Sequence, residues 1–91
     1  MLREFLEASV RALVDDHDAI RIEEERNGSM LRYRIRVAEA DRGRVIGKNG
    51  RIINALRTVG QAVGSKNRVR VQILVITDEG RPVAEEDEAE A

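Results

Sequence analysis

The sequence predicts an α+β domain in which a three-stranded sheet is packed on helices on one face. Three observations predict it. Apolar residues recur at helical spacing over residues 2–14 and again over residues 51–63. Apolar and polar residues alternate on both sides of Asn27-Gly28, the strongest short hairpin signal. Alternation returns over residues 69–77, after the second helical stretch. The resulting order is helix, strand, strand, short helix, glycine loop, helix, strand.

Length and composition set the bounds. Ninety-one residues make one small domain with a single modest core. Aromatic residues are 2% of the chain against 42% hydrophobic, so that core is aliphatic. The lack of cysteine excludes disulfides, thiolate zinc sites and cysteine nucleophiles, and no cofactor is expected. No apolar run approaches a membrane span, which makes a cytoplasmic protein without a membrane partner the expectation. The net charge of −1 hides a segregation. Residues 42–70 hold eight basic groups and no acidic one, whereas residues 71–91 hold one basic and seven acidic groups. A polyanion responds to local potential rather than to net charge.

From the N-terminus, Leu2, Phe5, Leu6, Val10, Leu13 and Val14 form one helical face, with Arg3, Glu4, Glu7 and Arg11 opposite. Asp15, Asp16, His17 and Asp18 lack ligand spacing and are read as a solvated loop rather than a metal site. A two-residue turn at Asn27-Gly28 pairs Ile22 with Tyr33 and Ile20 with Ile35. It sets Glu23 opposite Arg32 and Arg21 opposite Arg34. Arg32, Arg34 and Arg36 then form a solvated outer face partly paired with Glu23 and Glu25, while Tyr33 points into the core. Glu39 to Val45 is a short helical turn. Helix resumes near Arg51 with Ile52, Ala55, Leu56, Val59, Ala62 and Val63 as its buried stripe, Ile53 lies beside it, and Gly64 is the stop. Gly60 inside this helix suggests close packing on a strand. In the last strand Val69, Val71, Ile73 and Val75 face inward, leaving Leu74 and Ile76 on the outer face. From Asp78 the chain reads as a disordered acidic tail, giving a domain over 1–77 and a tail over 78–91.

Between the short and long helices, Gly47 and Gly50 bracket Lys48 and Asn49. Glycine at each edge admits a sharp turn and close backbone approach. The middle residues are left at the tip, and the N-terminus of the following helix points at the turn. The pattern V-I-G-x-x-G-x-x-I-x-x-L, met by Val45, Ile46, Gly47, Gly50, Ile53 and Leu56, resembles the core motif of KH domains, whose GXXG loop clamps four backbone nucleotides. The element order resembles the type II, prokaryotic KH arrangement. Within it, the chain most resembles the small stand-alone bacterial KH proteins of the KhpA (YlqC-like) family.

That resemblance implies single-stranded RNA binding. Gly47, Lys48, Asn49 and Gly50 would face the sugar-phosphate backbone, with Arg51 and Arg44 flanking them. Val45, Ile46 and Ile53 would line an aliphatic groove for the bases, and Arg70 would reach its far side. It further implies a cytoplasmic RNA chaperone or post-transcriptional regulator, often paired with a Jag-type KH/R3H protein and linked to cell envelope growth, cell shape and division. The rival expectations are a protein-interaction module, such as a homodimer formed through Leu74 and Ile76, and a ribosome-assembly factor. An enzyme is disfavoured because no nucleophile, base and orienter can be assembled. The stretch Gly43 to Asn49 is one residue short of a P-loop and lacks its terminal Ser or Thr.

Overall fold

The computed structural model describes residues 2–83. Helix α1 (Leu2–Leu13) buries Leu2, Leu6 and Val10, one residue per turn on the predicted face. It ends in the acidic turn, where the His17 ring lies 3.1 Å from Val14 O. Strands β1 (Arg21–Asn27) and β2 (Met30–Arg36) form an antiparallel hairpin, and β3 (Arg70–Val75) joins β2 in parallel. The order β1-β2-β3 makes β2 central and β3 an edge. A parallel partner needs a crossover, supplied by α2 (Arg42–Ile46) and α3 (Arg51–Lys66).

The hairpin register differs from the expected one by two residues. Gly28 and Ser29 form the turn, and Asn27 pairs with Met30, so Ile22 faces Ile35 and Glu24 faces Tyr33. Only the first loop residue has positive φ (Gly28, +64°). A type II′ turn requires glycine there, whereas the Asn-Gly loop assumed a type I′ turn. A shift of two preserves the faces, so Leu31, Tyr33 and Ile35 are buried as predicted. Burial and the neighbouring Glu24 raise the pKa of the Tyr33 hydroxyl. On the outer face Glu25 pairs with Arg34 (2.7 Å) and Arg32 (3.4 Å), and Glu23 with Arg36 (3.3 Å). The arginine row is thus a paired, solvated surface.

The buried stripe of α3 is Ile53, Leu56, Gly60 and Gly64, whereas Ala55, Val59 and Ala62 are exposed. The glycines explain the displacement. A Cβ on Gly60 would lie 2.9 Å from Ile73 Cδ1, and one on Gly64 would lie 2.7 Å from both Val69 O and Val71 Cγ2. Hydropathy does not count glycine as apolar, yet here it is the contact surface. Gly64 is also not the helix stop, since α3 runs on to Lys66. The two positions are expected to respond differently to alanine. At Gly60 the neighbour is a mobile methyl, and a helix-propensity gain of about 1 kcal/mol offsets the crowding. At Gly64 the neighbour includes backbone, so a net loss of about 1–2 kcal/mol is expected, read by urea unfolding of both variants.

Beyond β3 the chain folds back rather than leaving the domain at Asp78. Thr77 N–H donates to Arg81 O (2.8 Å), and Gly80 N–H donates to Thr77 O (2.9 Å). Ile76 bridges Pro82, and Val83 N–H donates to Val75 O (2.8 Å). This strap leaves Ile76 2% exposed, correcting its placement on an outer face, and Leu74 is half-buried. The rest of the expected tail, residues 84–91, lies outside the described residues.

Candidate nucleic-acid interface

The glycine loop is built by backbone geometry. Helix α2 ends as Gly47 N–H donates to Gly43 O (2.8 Å), and Gly50 N–H then donates to Gly47 O (3.0 Å). Three of the four loop residues have positive φ: Gly47 (+80°), Asn49 (+59°) and Gly50 (+76°). Asn49 is there because asparagine is among the few non-glycine residues that visit this region readily. Lys48 and Asn49 are exposed, and Gly50 is buried as the N-cap of α3 with no side-chain cap. The positive end of the sixteen-residue α3 therefore faces the loop. Arg51 is exposed beside it.

The expected aliphatic groove is corrected. Val45 and Ile53 are both 0% exposed and form core beneath the loop, while Ile46 is half-buried against them. The concave surface lies instead between α3 and the open edge of β3. A cleft of about 620 Å³ runs from Arg57 and Gln61 of α3 round the edge of β3, past Gln72 and Leu74, to Arg32 and Arg34 on the outer face of the sheet. A second, of about 480 Å³, shares Gln61 and Gln72 and reaches Ser65 and Arg70. Arg57 spans the first cleft, its Nε donating to Ile73 O (3.0 Å) and its Nη1 to Asn54 Oδ1 (3.1 Å). Arg70 is exposed at the opposite end of β3 from the strap, so it marks the far end of this channel.

Sequence reasoning missed Asn54, Arg57, Gln61 and Ser65. Each stands one residue after a buried position of α3 (Ile53, Leu56, Gly60, Gly64), so the true buried stripe also marks the polar one.

Arg44 is half exposed and already engaged, by Asp41 (2.5 Å) and Asp15 (2.9 Å). Asp41 is buried and also accepts from Asp16 N–H (3.1 Å), which ties the end of α1 to the start of α2. That backbone donor and the Arg44 guanidinium hold the Asp41 carboxyl below its ordinary range. Its hydrogen bond to Asp41, with Asp15 nearby, raises the pKa of Arg44 in turn. A carboxyl depressed on folding adds stability that is complete above its unfolded value, about 4. This is lost as pH falls through the lower folded value. The melting temperature is therefore expected to fall on acidification below about pH 4, with a shallower acid limb in Asp41→Asn.

Among the described residues no group of three or more His, Cys, Asp or Glu is placed to hold a metal, and no helix is long and apolar enough to cross a membrane.

A parallel β2-β3 pair bridged by two helices with a GXXG turn between them defines a KH domain of the type II order. The family model for the KhpA/KhpB KH domain matches residues 3–75, and the chain belongs to that family, one of binding proteins rather than enzymes. It is 40% identical over 75 residues to the RNA-binding protein KhpA of Listeria monocytogenes, covering 82% of this chain and 99% of that protein. It is 38% identical over 77 residues to the RNA-binding protein KhpA of Chlamydia pneumoniae, covering 85% and 99%. Against the Aquifex aeolicus RNA-binding protein KhpA it is 37% identical over 75 residues, covering 82% and 95%.

Proposed function

We propose that this chain binds single-stranded RNA, with its GXXG loop on the sugar-phosphate backbone and the bases along the α3–β3 cleft. The observation that carries the reading is an exposed Lys48-Asn49 tip at the positive end of α3, within a segment that holds eight basic residues and no acidic one. Lys48 and Arg51 supply charge, and loop and helix N–H groups donate to phosphate oxygens. Arg57, Gln61 and Gln72 offer hydrogen-bonding groups to base edges, with Arg70 at the far end. Arg44 acts through α2, holding the loop in place. The relatives' names support RNA as the ligand.

On the family resemblance, the role we propose is a cytoplasmic bacterial RNA chaperone or post-transcriptional regulator. It would work with a Jag-type KH/R3H protein in control of the cell envelope and division. The described residues of the domain run through Val83.

Anisotropy titration of a labelled single-stranded RNA 12-mer tests the reading, with wild type beside Lys48→Asp/Asn49→Asp. Three or four phosphate contacts give a log–log salt slope of about −2 to −3. A flat salt response, or equal binding by both chains, would refute it.

A homodimer is the second reading. Burial of Ile76 removes one of the residues it rested on, but Val59 on α3 is 43% exposed, with Ala55 and Ala62 exposed on the same helix face.

A further inference from the structure

The outer face of the sheet carries more positive charge than it neutralises. Residues opposite one another in β1 and β2 share a face, so Arg21, Glu23 and Glu25 stand with Arg36, Arg34 and Arg32, four cations against two carboxylates. Arg36 is held twice, by Glu23 (3.3 Å) and by the Asp78 carbonyl (3.0 Å). Arg32 and Arg34 share a single carboxylate oxygen, Oε1 of Glu25, at 3.4 and 2.7 Å. A guanidinium has several N–H donors in a fixed fork, so one oxygen leaves this pair with donors to spare. Their side chains are 34% and 30% exposed.

Two features connect this pair to the α3–β3 cleft. The cleft that starts at Arg57 and Gln61 does not stop at the edge of β3 but reaches Arg32 and Arg34. Gln72 joins the two sides. It is the neighbour of Arg32 across the β2–β3 pair, and Arg32 Nε donates to its Oε1 (2.6 Å). That bond leaves the Gln72 amide N–H groups as the donors it presents to a ligand. The strap limits where a strand crosses. Pro82 and Val83 pair with Ile76 and Val75 and cover that end of the open edge, which leaves the edge at Gln72 and Leu74.

We propose that single-stranded RNA leaving the α3–β3 cleft passes over the edge of β3 at Gln72 and Leu74 and rests two further phosphates on Arg32 and Arg34. The inference rests on the RNA reading of the cleft and lengthens its footprint beyond the four nucleotides that a GXXG loop clamps. Glu25 is the occupant that the phosphates displace. Exposed ion pairs of its kind are weak, so it yields readily. Leu74, half-buried at the crossing, offers apolar surface to the base that passes it.

The test compares wild type with Arg32→Gln/Arg34→Gln, with Glu25→Gln, and with Arg11→Gln/Arg26→Gln. The last removes the same charge at exposed positions outside this cleft. Amide-shift titrations measure affinity for an RNA 4-mer, long enough for the loop, and for the 12-mer. They are run at about 0.15 M salt, where exposed charges more than about 8 Å apart are largely screened. Arg32→Gln/Arg34→Gln is expected to weaken the 12-mer about tenfold and to make its log–log salt slope shallower by about 1.4. The 4-mer should change less than about twofold. Glu25→Gln is expected to tighten the 12-mer about threefold, a gain that misfolding does not produce. Amides of residues 32–34 should move with the 12-mer and not with the 4-mer. Equal weakening by Arg11→Gln/Arg26→Gln overturns the proposal, because net charge alone then accounts for it. It also falls if neither Arg32→Gln/Arg34→Gln nor Glu25→Gln alters 12-mer affinity while Lys48→Asp/Asn49→Asp still lowers it, since RNA then keeps to the loop and cleft. A wild-type chain that binds neither RNA overturns the RNA reading and this inference with it.

Discussion

Gly47→Ala is expected to cost about 3 kcal/mol and to disorder the loop. At φ +80° and ψ 166°, Gly47 occupies a region that is essentially glycine-only and carries about 1–3 kcal/mol of strain for other residues. A Cβ would also fall 2.6 Å from Ile52 Cγ1 and 2.9 Å from Ile52 N, and backbone cannot swing aside as a side-chain end can. The overpacking adds about 1–3 kcal/mol. The sum is a large share of the roughly 5 kcal/mol available to a small domain. Gly43→Ala is the control, because nothing lies within 4 Å of its Cβ position and it sits in α2. It should leave stability within about 1 kcal/mol of wild type. Urea unfolding measures both. A Gly47→Ala chain as stable as Gly43→Ala would mean the turn does not have this geometry.

Lys48→Asp/Asn49→Asp is expected to lower RNA affinity roughly thirty- to a hundredfold, equivalent to about 2–3 kcal/mol. One cation facing phosphate is removed and two anions are put in its place, each interaction of order 1 kcal/mol in a solvated setting. Losing one phosphate contact also reduces the salt slope by about 0.7. The fold should be indifferent. Both side chains are exposed, and aspartate tolerates the left-handed backbone at position 49 nearly as well as asparagine. Unfolding midpoints should therefore agree within about 0.5 kcal/mol. If affinity falls only together with stability, the loop matters to the fold rather than to the ligand.

The two variants divide what could be read in the sequence from what could not. The loop was legible because its chemistry is local: two glycines three positions apart, between apolar runs, leave no other place for Lys48 and Asn49 than the tip. The faces of β1 and β2 were legible because a strand's period of two survives a register shift of two. Three things were hidden. The turn type at Gly28 depends on which loop residue takes positive φ, and Asn-Gly suggested the wrong one. The packing stripe of α3 is half glycine, so a hydropathy pattern pointed one position away and placed Ile53 at a surface it does not reach. The fate of Ile76 depended on a short turn back to Pro82, in a segment whose composition reads as disordered. Arg44 is intermediate: its place beside the loop was visible, but its pairing with Asp15 joins residues distant in sequence.

The central strand also has a consequence for how the protein is made. One neighbour of β2 is its own hairpin partner, available as soon as Asn27 to Met30 can turn. The other is β3, which is synthesised only after the whole helical crossover. Until then one edge of β2 has no strand partner, and a two-stranded hairpin is marginal in water. The nascent chain is therefore expected to stay open to chaperones until Val71, Ile73 and Val75 have left the ribosome, and then to close in a single cooperative step.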